Sequence, residues 1–296
     1  MDRTKSLSLI WVFCLILSSV LIVMLMGSNS IHVGVPVWAI VVLLFFISAF
    51  CEYIDSSLGM GYGTTLTPLL LTFGVIRAEI VPVILLSELM TGFFAGIAHH
   101  REGNVNLKKD KNIKTAVIFL TIPSIIGVVT ATILSSRLKE IGQHYANLYI
   151  GLMIFAIGIY LIYSNLVRKR IPGTGTISKP RLLILGIVAA FNKGVSGGGY
   201  GPLMTGGQLT AGVKEKEAVV ITSLCEGFTC FTGLVAFFIL GGSLNWFYVV
   251  PLCMGSMVSV VPAAKTIRVI PEGLLKKAIG WATLLLGLMT LWKFLH

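Results

Sequence analysis

Charge is what this sequence has least of: Asp, Glu, Lys and Arg together make up 12% of its 296 residues, and acidic residues number only 12. With hydrophobic residues at 55% and a mean hydropathy of +0.91, such a chain has too little polar surface to stay in water. The common enzyme patterns are missing too. No HExxH and no Ser/His/Asp arrangement at usable spacing occurs, which argues against an intramembrane enzyme and leaves no catalytic residue to nominate. The five cysteines, Cys14, Cys51, Cys225, Cys230 and Cys253, form no CxxC pair and have no histidine at ligand spacing. They read as buried thiols, and no metal or other cofactor is expected. After the apolar stretch from Leu7 to Met26 there is no Ala-x-Ala site, so a retained helix is expected there instead of a signal peptide.

Long apolar runs are what the sequence has in their place. They fall near 7–26, 36–56, 62–74, 79–98, 114–134, 147–167, 181–193, 200–211, 217–240, 245–263 and 275–295. A hydrocarbon core about 30 Å thick needs about 20 helical residues. The segments 62–74, 181–193 and 200–211 have about a dozen each, or about 18–20 Å at 1.5 Å per residue, and are expected to be half-helices. The formal charge of +11 sits between apolar runs instead of along one soluble face, which speaks against a nucleic-acid partner and for membrane topology. Lys and Arg mark cytoplasmic loops. Arg3 and Lys5, the loops from Arg101 to Lys114 and from Arg168 to Arg181, and Lys265, Arg268, Lys276 and Lys277 are assigned to that side; the turn Gly241-Gly242-Ser243 fits the outside. This predicts a cytoplasmic N-terminus and a C-terminus outside.

Placing residue i on residue i+138 from Gly59 to Phe93 needs no gap. It pairs Gly59 with Gly197, Gly61 with Gly199, Tyr62 with Tyr200, Gly63 with Gly201, Thr67 with Thr205, Glu79 with Glu217, Glu88 with Glu226 and Thr91 with Thr229. Two glutamates and a tyrosine in register are more than low complexity gives, so the chain is read as an internal repeat. Three full spans, 79–98, 114–134 and 147–167, separate the copies, so the second enters the membrane from the opposite face. The predicted fold is an all-α, polytopic helical bundle of two inverted repeats with broken or re-entrant helices. The predicted parts are an additional N-terminal helix and loop (1–35), a first repeat (36–167), a connecting cytoplasmic loop (168–180) and a second repeat (181–296).

Backbone freed by a helix break must line protein or water, and inverted repeats with discontinuous helices place substrate at the midplane of secondary transporters. Glycine lets a ligand approach the backbone, and the half-helix after each break would turn its N-terminal N–H groups toward the gap and favour an anion. Tight small-residue packing is the rival reading of the same glycines. Candidate substrate-binding residues are therefore Gly59, Gly61, Tyr62, Gly63, Asn192, Lys193, Ser196, Gly197, Gly198, Gly199, Tyr200 and Gly201. Glu88, Glu226 and Asp55 are the candidates for proton coupling or gating, ionisable residues in a membrane being functional candidates by default. Two roles stand open for the glutamates, proton carriage and acceptance of orphan N–H groups. Lys193 lies opposite Asp55 in the repeat, which suggests an ion pair across the pseudo-twofold axis, or else a lone positive charge for an anion. Glu79 and Glu217 read as first-turn caps, and His99 and His100 as interfacial.

The run Phe191-Asn192-Lys193-Gly194-Val195-Ser196-Gly197-Gly198-Gly199-Tyr200-Gly201-Pro202-Leu203, with the first copy ending at Thr67-Pro68-Leu69-Leu70, resembles the TauE/SafE sulfite exporter family. The first copy departs in carrying Met60 between glycines, and Gly206 stands where the first copy has Pro68. The resemblance implies a multi-pass plasma-membrane transporter of sulfite or a small organosulfur or sulfonate anion, an exporter coupled to the proton gradient. The partners expected are a small anionic substrate and the bilayer, with room for a homo-oligomer. The residues themselves support an anion-favouring midplane site and leave open an anion channel using the same breaks as a filter.

Overall fold

A computed structural model describes residues 36–107, 110–137, 179–210, 213 and 215–267, with scattered helical positions between 148 and 163 and between 281 and 292. The helix expected over 7–26, most of the segments expected over 147–167 and 275–295, and residues 168–178 of the connecting loop lie outside the described residues. The described residues form eight helices and no strand: α1 Val37–Leu58, α2 Tyr62–Thr72, α3 Arg77–Arg101, α4 Lys111–Arg137, α5 Lys179–Ser196, α6 Tyr200–Thr210, α7 Glu215–Ile239 and α8 Trp246–Thr266. Five of them, α1, α3, α4, α7 and α8, are long and apolar enough to cross a membrane.

Polarity is arranged for lipid outside and protein inside. Along α4, Ile118, Ile122, Ile125, Ile126 and Ile133 recur at helical spacing and are exposed, a face suited to hydrocarbon. Glu52, Asp55, Glu88, Lys193, Gln208 and Glu226 are buried. The four described cysteines are free and buried, as expected; Cys14 lies outside the described residues.

α1 packs along α8 and α4 along α5, while α3 and α7 face each other at the centre. The remaining contacts run in matched pairs: α4 touches α7 as α8 touches α3, and α2 sits against α1 and α3 as α6 sits against α5 and α7. The short helices α2 and α6 have 11 residues each, about 16 Å of helix. α5 differs from the sequence reading. It has 18 residues, about 27 Å, where a half-helix over 181–193 was expected. Lys193 looked like a charged boundary, but its ammonium is fully buried and ion-paired, so the helix runs on through it to Ser196.

Candidate functional site

Two glycine turns meet at the centre of the bundle. α1 ends at Gly59 with φ of +66°, and its N–H bonds back to Asp55 O at 2.6 Å; α5 ends at Gly197 with φ of +75°, and its N–H bonds back to Lys193 O at 2.7 Å. This left-handed cap carries almost no steric cost only in glycine. Beyond the caps the two backbones lie against one another. A methyl group on Gly63 would run into Gly197 O and come within 3.0 Å of Gly198 Cα; one on Gly201 would come within 2.7 Å of Met60 Cα and 2.8 Å of Gly59 O. Since Gly63 corresponds to Gly201, Gly197 to Gly59 and Gly198 to Met60, each contact has its counterpart.

Lys193 stands beside this junction, with none of its surface exposed. Its Nζ donates to Glu226 Oε1 at 2.5 Å and pairs with Glu88 Oε2, so α5, α3 and α7 are tied by one ammonium between two carboxylates. The Tyr200 ring lies 5.3 Å from the same Nζ. The ion pair expected between Lys193 and Asp55 is not the one found. The partners are Glu88 and Glu226, on the facing helices α3 and α7.

Asp55 turns instead to the helix that follows its own turn: its Oδ1 accepts from Tyr62 N at 3.3 Å, and Glu88 Oε1 accepts from Gly63 N at 3.3 Å. The first N–H groups of α2 are thus held by carboxylates, where the sequence suggested that they would face an anion. At the second turn, Gly199 N goes to Thr64 Oγ1 at 3.1 Å and Gly198 N to Ser196 Oγ at 3.0 Å. Among the described residues no acceptor takes the N–H of Tyr200 or Gly201, the first two of α6. Asp55, Gly61, Gly63, Glu88, Lys193 and Glu226 join Thr64 and Gly198 to Gly201 around a space of about 150 Å³ too finely divided to admit a water molecule.

Other candidates take different places. The Tyr62 hydroxyl bonds Ser48 Oγ at 3.0 Å and Ser87 Oγ at 2.8 Å, and Ser87 continues to Ser256 Oγ at 2.8 Å, so this tyrosine braces α2 against α1, α3 and α8. The Tyr200 hydroxyl bonds Thr229 Oγ1 at 3.3 Å and lies 3.5 Å from Ser124 Oγ. Asn192 Oδ1 accepts from the Tyr149 hydroxyl. Glu79, in the first turn of α3, accepts from Asn245 Nδ2 at 3.0 Å. His99, expected at the interface, is fully buried. Asn104 Nδ2 gives one hydrogen to Ala264 O at 2.9 Å and one to His99 Nδ1 at 3.0 Å, so His99 carries its own hydrogen on Nε2 and donates it to Ser56 O at 2.8 Å. That chain fastens the end of α1 to α3 and α8.

Glu52 escaped the sequence reading. Buried one turn before Asp55, it accepts from Ser56 Oγ at 2.6 Å through Oε1, and Oε2 has no partner among the described residues. The signal was present in an ionisable residue three positions from Asp55 inside an apolar run.

Residues 43–290 match the family model described as "Sulfite exporter TauE/SafE". The chain is also 28% identical, over 83% of its length and 81% of the relative's, to the "Probable membrane transporter protein YtnM" of Bacillus subtilis (strain 168). No solved structure matches. With five helices able to cross a membrane and a family model covering 248 of 296 residues (43 through 290), the chain belongs to the TauE/SafE sulfite exporter family of membrane transporters.

Proposed function

We propose that the protein is a secondary transporter of sulfite or a small organosulfur or sulfonate anion, built from two inverted repeats, with the anion bound at Lys193 and the N-terminus of α6 and with proton movement coupled through Glu88 and Glu226. The observation that carries this reading is the buried ammonium held by two carboxylates beside a helix start whose first N–H groups have no acceptor among the described residues. The matched packing pairs and the mutual backbone contacts of the glycine turns support the inverted repeat.

The coupling follows from competition for one cation. An anion takes Lys193 only when a glutamate releases it, and a glutamate gives up a buried ammonium at least cost by accepting a proton. Anion and proton therefore favour each other's binding and cross together. The gradients then set the net direction: export, the direction proposed from the family's description, runs when the outward anion gradient outweighs the inward proton gradient. Asp55 and Glu52, both buried next to the junction, are proposed as further proton-holding groups on the α1 side.

Purified protein is screened by thermal shift against sulfite, sulfate, isethionate and sulfoacetate at two pH values. A ligand at 100 times its Kd stabilises by about 2.7 kcal/mol, a rise of roughly 5–11 °C at roughly 2–4 °C per kcal/mol. The shift is expected to be larger at the lower pH. In proteoliposomes, flux is expected to saturate and to accumulate anion under a pH gradient. If Glu88→Gln and Glu226→Gln both leave pH-driven flux unchanged, the coupling is wrong; unsaturable flux without accumulation means a channel.

A further inference from the structure

A larger cavity, about 690 Å³, opens at the end of the bundle where α3 and α8 begin and α4 and α7 end. That end lies away from the basic loop between α3 and α4, so the charge rule puts it on the outer face. The cavity reaches Gly194, the residue after Lys193, and residues 240–246 also line it.

Arg77 lines this space, and it is 9% exposed. Its guanidinium donates to Val195 O, a carbonyl in the last turn of α5, and to Ser135 Oγ at 3.1 Å. A guanidinium has five N–H donors and stays protonated, so these contacts leave donors and a full charge to be met. Among the described residues no carboxylate ion-pairs with it. The one acid in the lining, Glu79, makes no ion pair with Arg77; it is partly exposed and takes the Asn245 amide. A cation nine-tenths buried, without an acidic partner and facing a cavity, calls for a mobile counter-charge.

We infer that this cavity is a docking vestibule in which Arg77 holds a small oxyanion, through the forked geometry that suits sulfonate, sulfite or carboxylate oxygens, on its way between the outer medium and the Lys193 site. The docking site rests on the reading of the chain as an anion carrier. Because Arg77 also holds Val195 O, an anion arriving there meets a group already fastened to the second glycine turn.

The test reads the vestibule's electrostatics without measuring transport. Ser135→Cys is introduced beside the guanidinium in full-length protein carrying Cys14→Ser, the other cysteines being buried. Rates of modification by sulfonatoethyl (anionic) and trimethylammonioethyl (cationic) methanethiosulfonate are measured in detergent and normalised to a free thiol. With Arg77 present, the anionic reagent is expected to gain roughly tenfold over the cationic one. Sulfate should slow the anionic reaction, Arg77→Gln should abolish the preference and Glu79→Gln should raise it. A normalised ratio of one or less in protein that retains Arg77 overturns the inference, whether or not the Arg77→Gln variant folds. So does a failure of sulfate to protect. A strong anionic preference in protein that shows no flux would leave the vestibule standing and sink the transport reading instead.

Discussion

Removing the ammonium at position 193 isolates what the central triad does. Lys193 is fully buried, and its two partners have side chains only 3% and 4% exposed, so Lys193→Met leaves two buried carboxylates facing each other without a cation. Breaking a buried pair by deleting one partner costs about 3–5 kcal/mol, which at roughly 2–4 °C per kcal/mol predicts a melting temperature lower by roughly 6–20 °C at neutral pH. The sign of the pH effect follows directly: a protonated carboxyl needs no counter-charge, so the loss shrinks as pH falls. Replacing all three groups, as in Lys193→Met with Glu88→Gln and Glu226→Gln, removes the stranded charges. Since buried triads contribute little net stability, the triple variant should melt within a few degrees of the parent yet bind no anion. Thermal unfolding in detergent across a pH series, alongside the anion shift assay, measures both. A single variant as stable as the parent at neutral pH, or a triple variant no more stable than the single one, would refute the reasoning.

Two further outcomes follow from the packing. Gly63→Ala forces a methyl group into Gly197 O and Gly198 Cα, backbone atoms that cannot swing aside, and is expected to lower stability by about 1–3 kcal/mol or more and to stop transport. Gly74→Ala is the control: it has open space and only its φ of +82° to strain, so it should lose about 1–2 kcal/mol and keep anion binding. His99→Ala leaves Ser56 O without its donor and Asn104 Nδ2 with Ala264 O alone; about 1–3 kcal/mol should be lost, with faster hydrogen exchange in the last turn of α1 and in the residues around Asn104. Exchange unchanged there would show that this chain does not fasten that end.

The parts of the fold readable in sequence were those encoded by length and by glycine. The apolar runs at 62–74 and 200–211 were short because α2 and α6 are short, and Gly59 and Gly197 marked helix ends because each adopts a positive φ. Glu88 and Glu226 stood out as charges within apolar helices, and both are found beside the junction. The partnerships were not readable. Lys193 meets residues 105 positions before it and 33 after it, and Arg77 meets Ser135 and Val195 across 58 and 118 positions; no local pattern carries such distances. Arg77 was not singled out in the sequence, and His99 read as an interfacial residue, because burial at a helix end depends on which other helix ends lie there.

Likeness between the two turns and difference between their charges have separate consequences. The backbone is matched: each turn has its left-handed glycine, its short following helix and its contact with the other turn. The side chains are not. Asp55 and Glu88 occupy the first N–H groups of α2, whereas α6 begins beside Lys193 with its own first N–H groups not taken by any described acceptor. A pair of turns alike in charge as well as backbone would offer two equal half-sites. On the proposed reading the carboxylates neutralise one half and the lysine equips the other, so a single anion would have one place to bind and would displace a carboxylate to do so. On the proposed reading, that displacement links substrate to proton, and it explains why a costly buried triad stands where apolar side chains would pack with less desolvation.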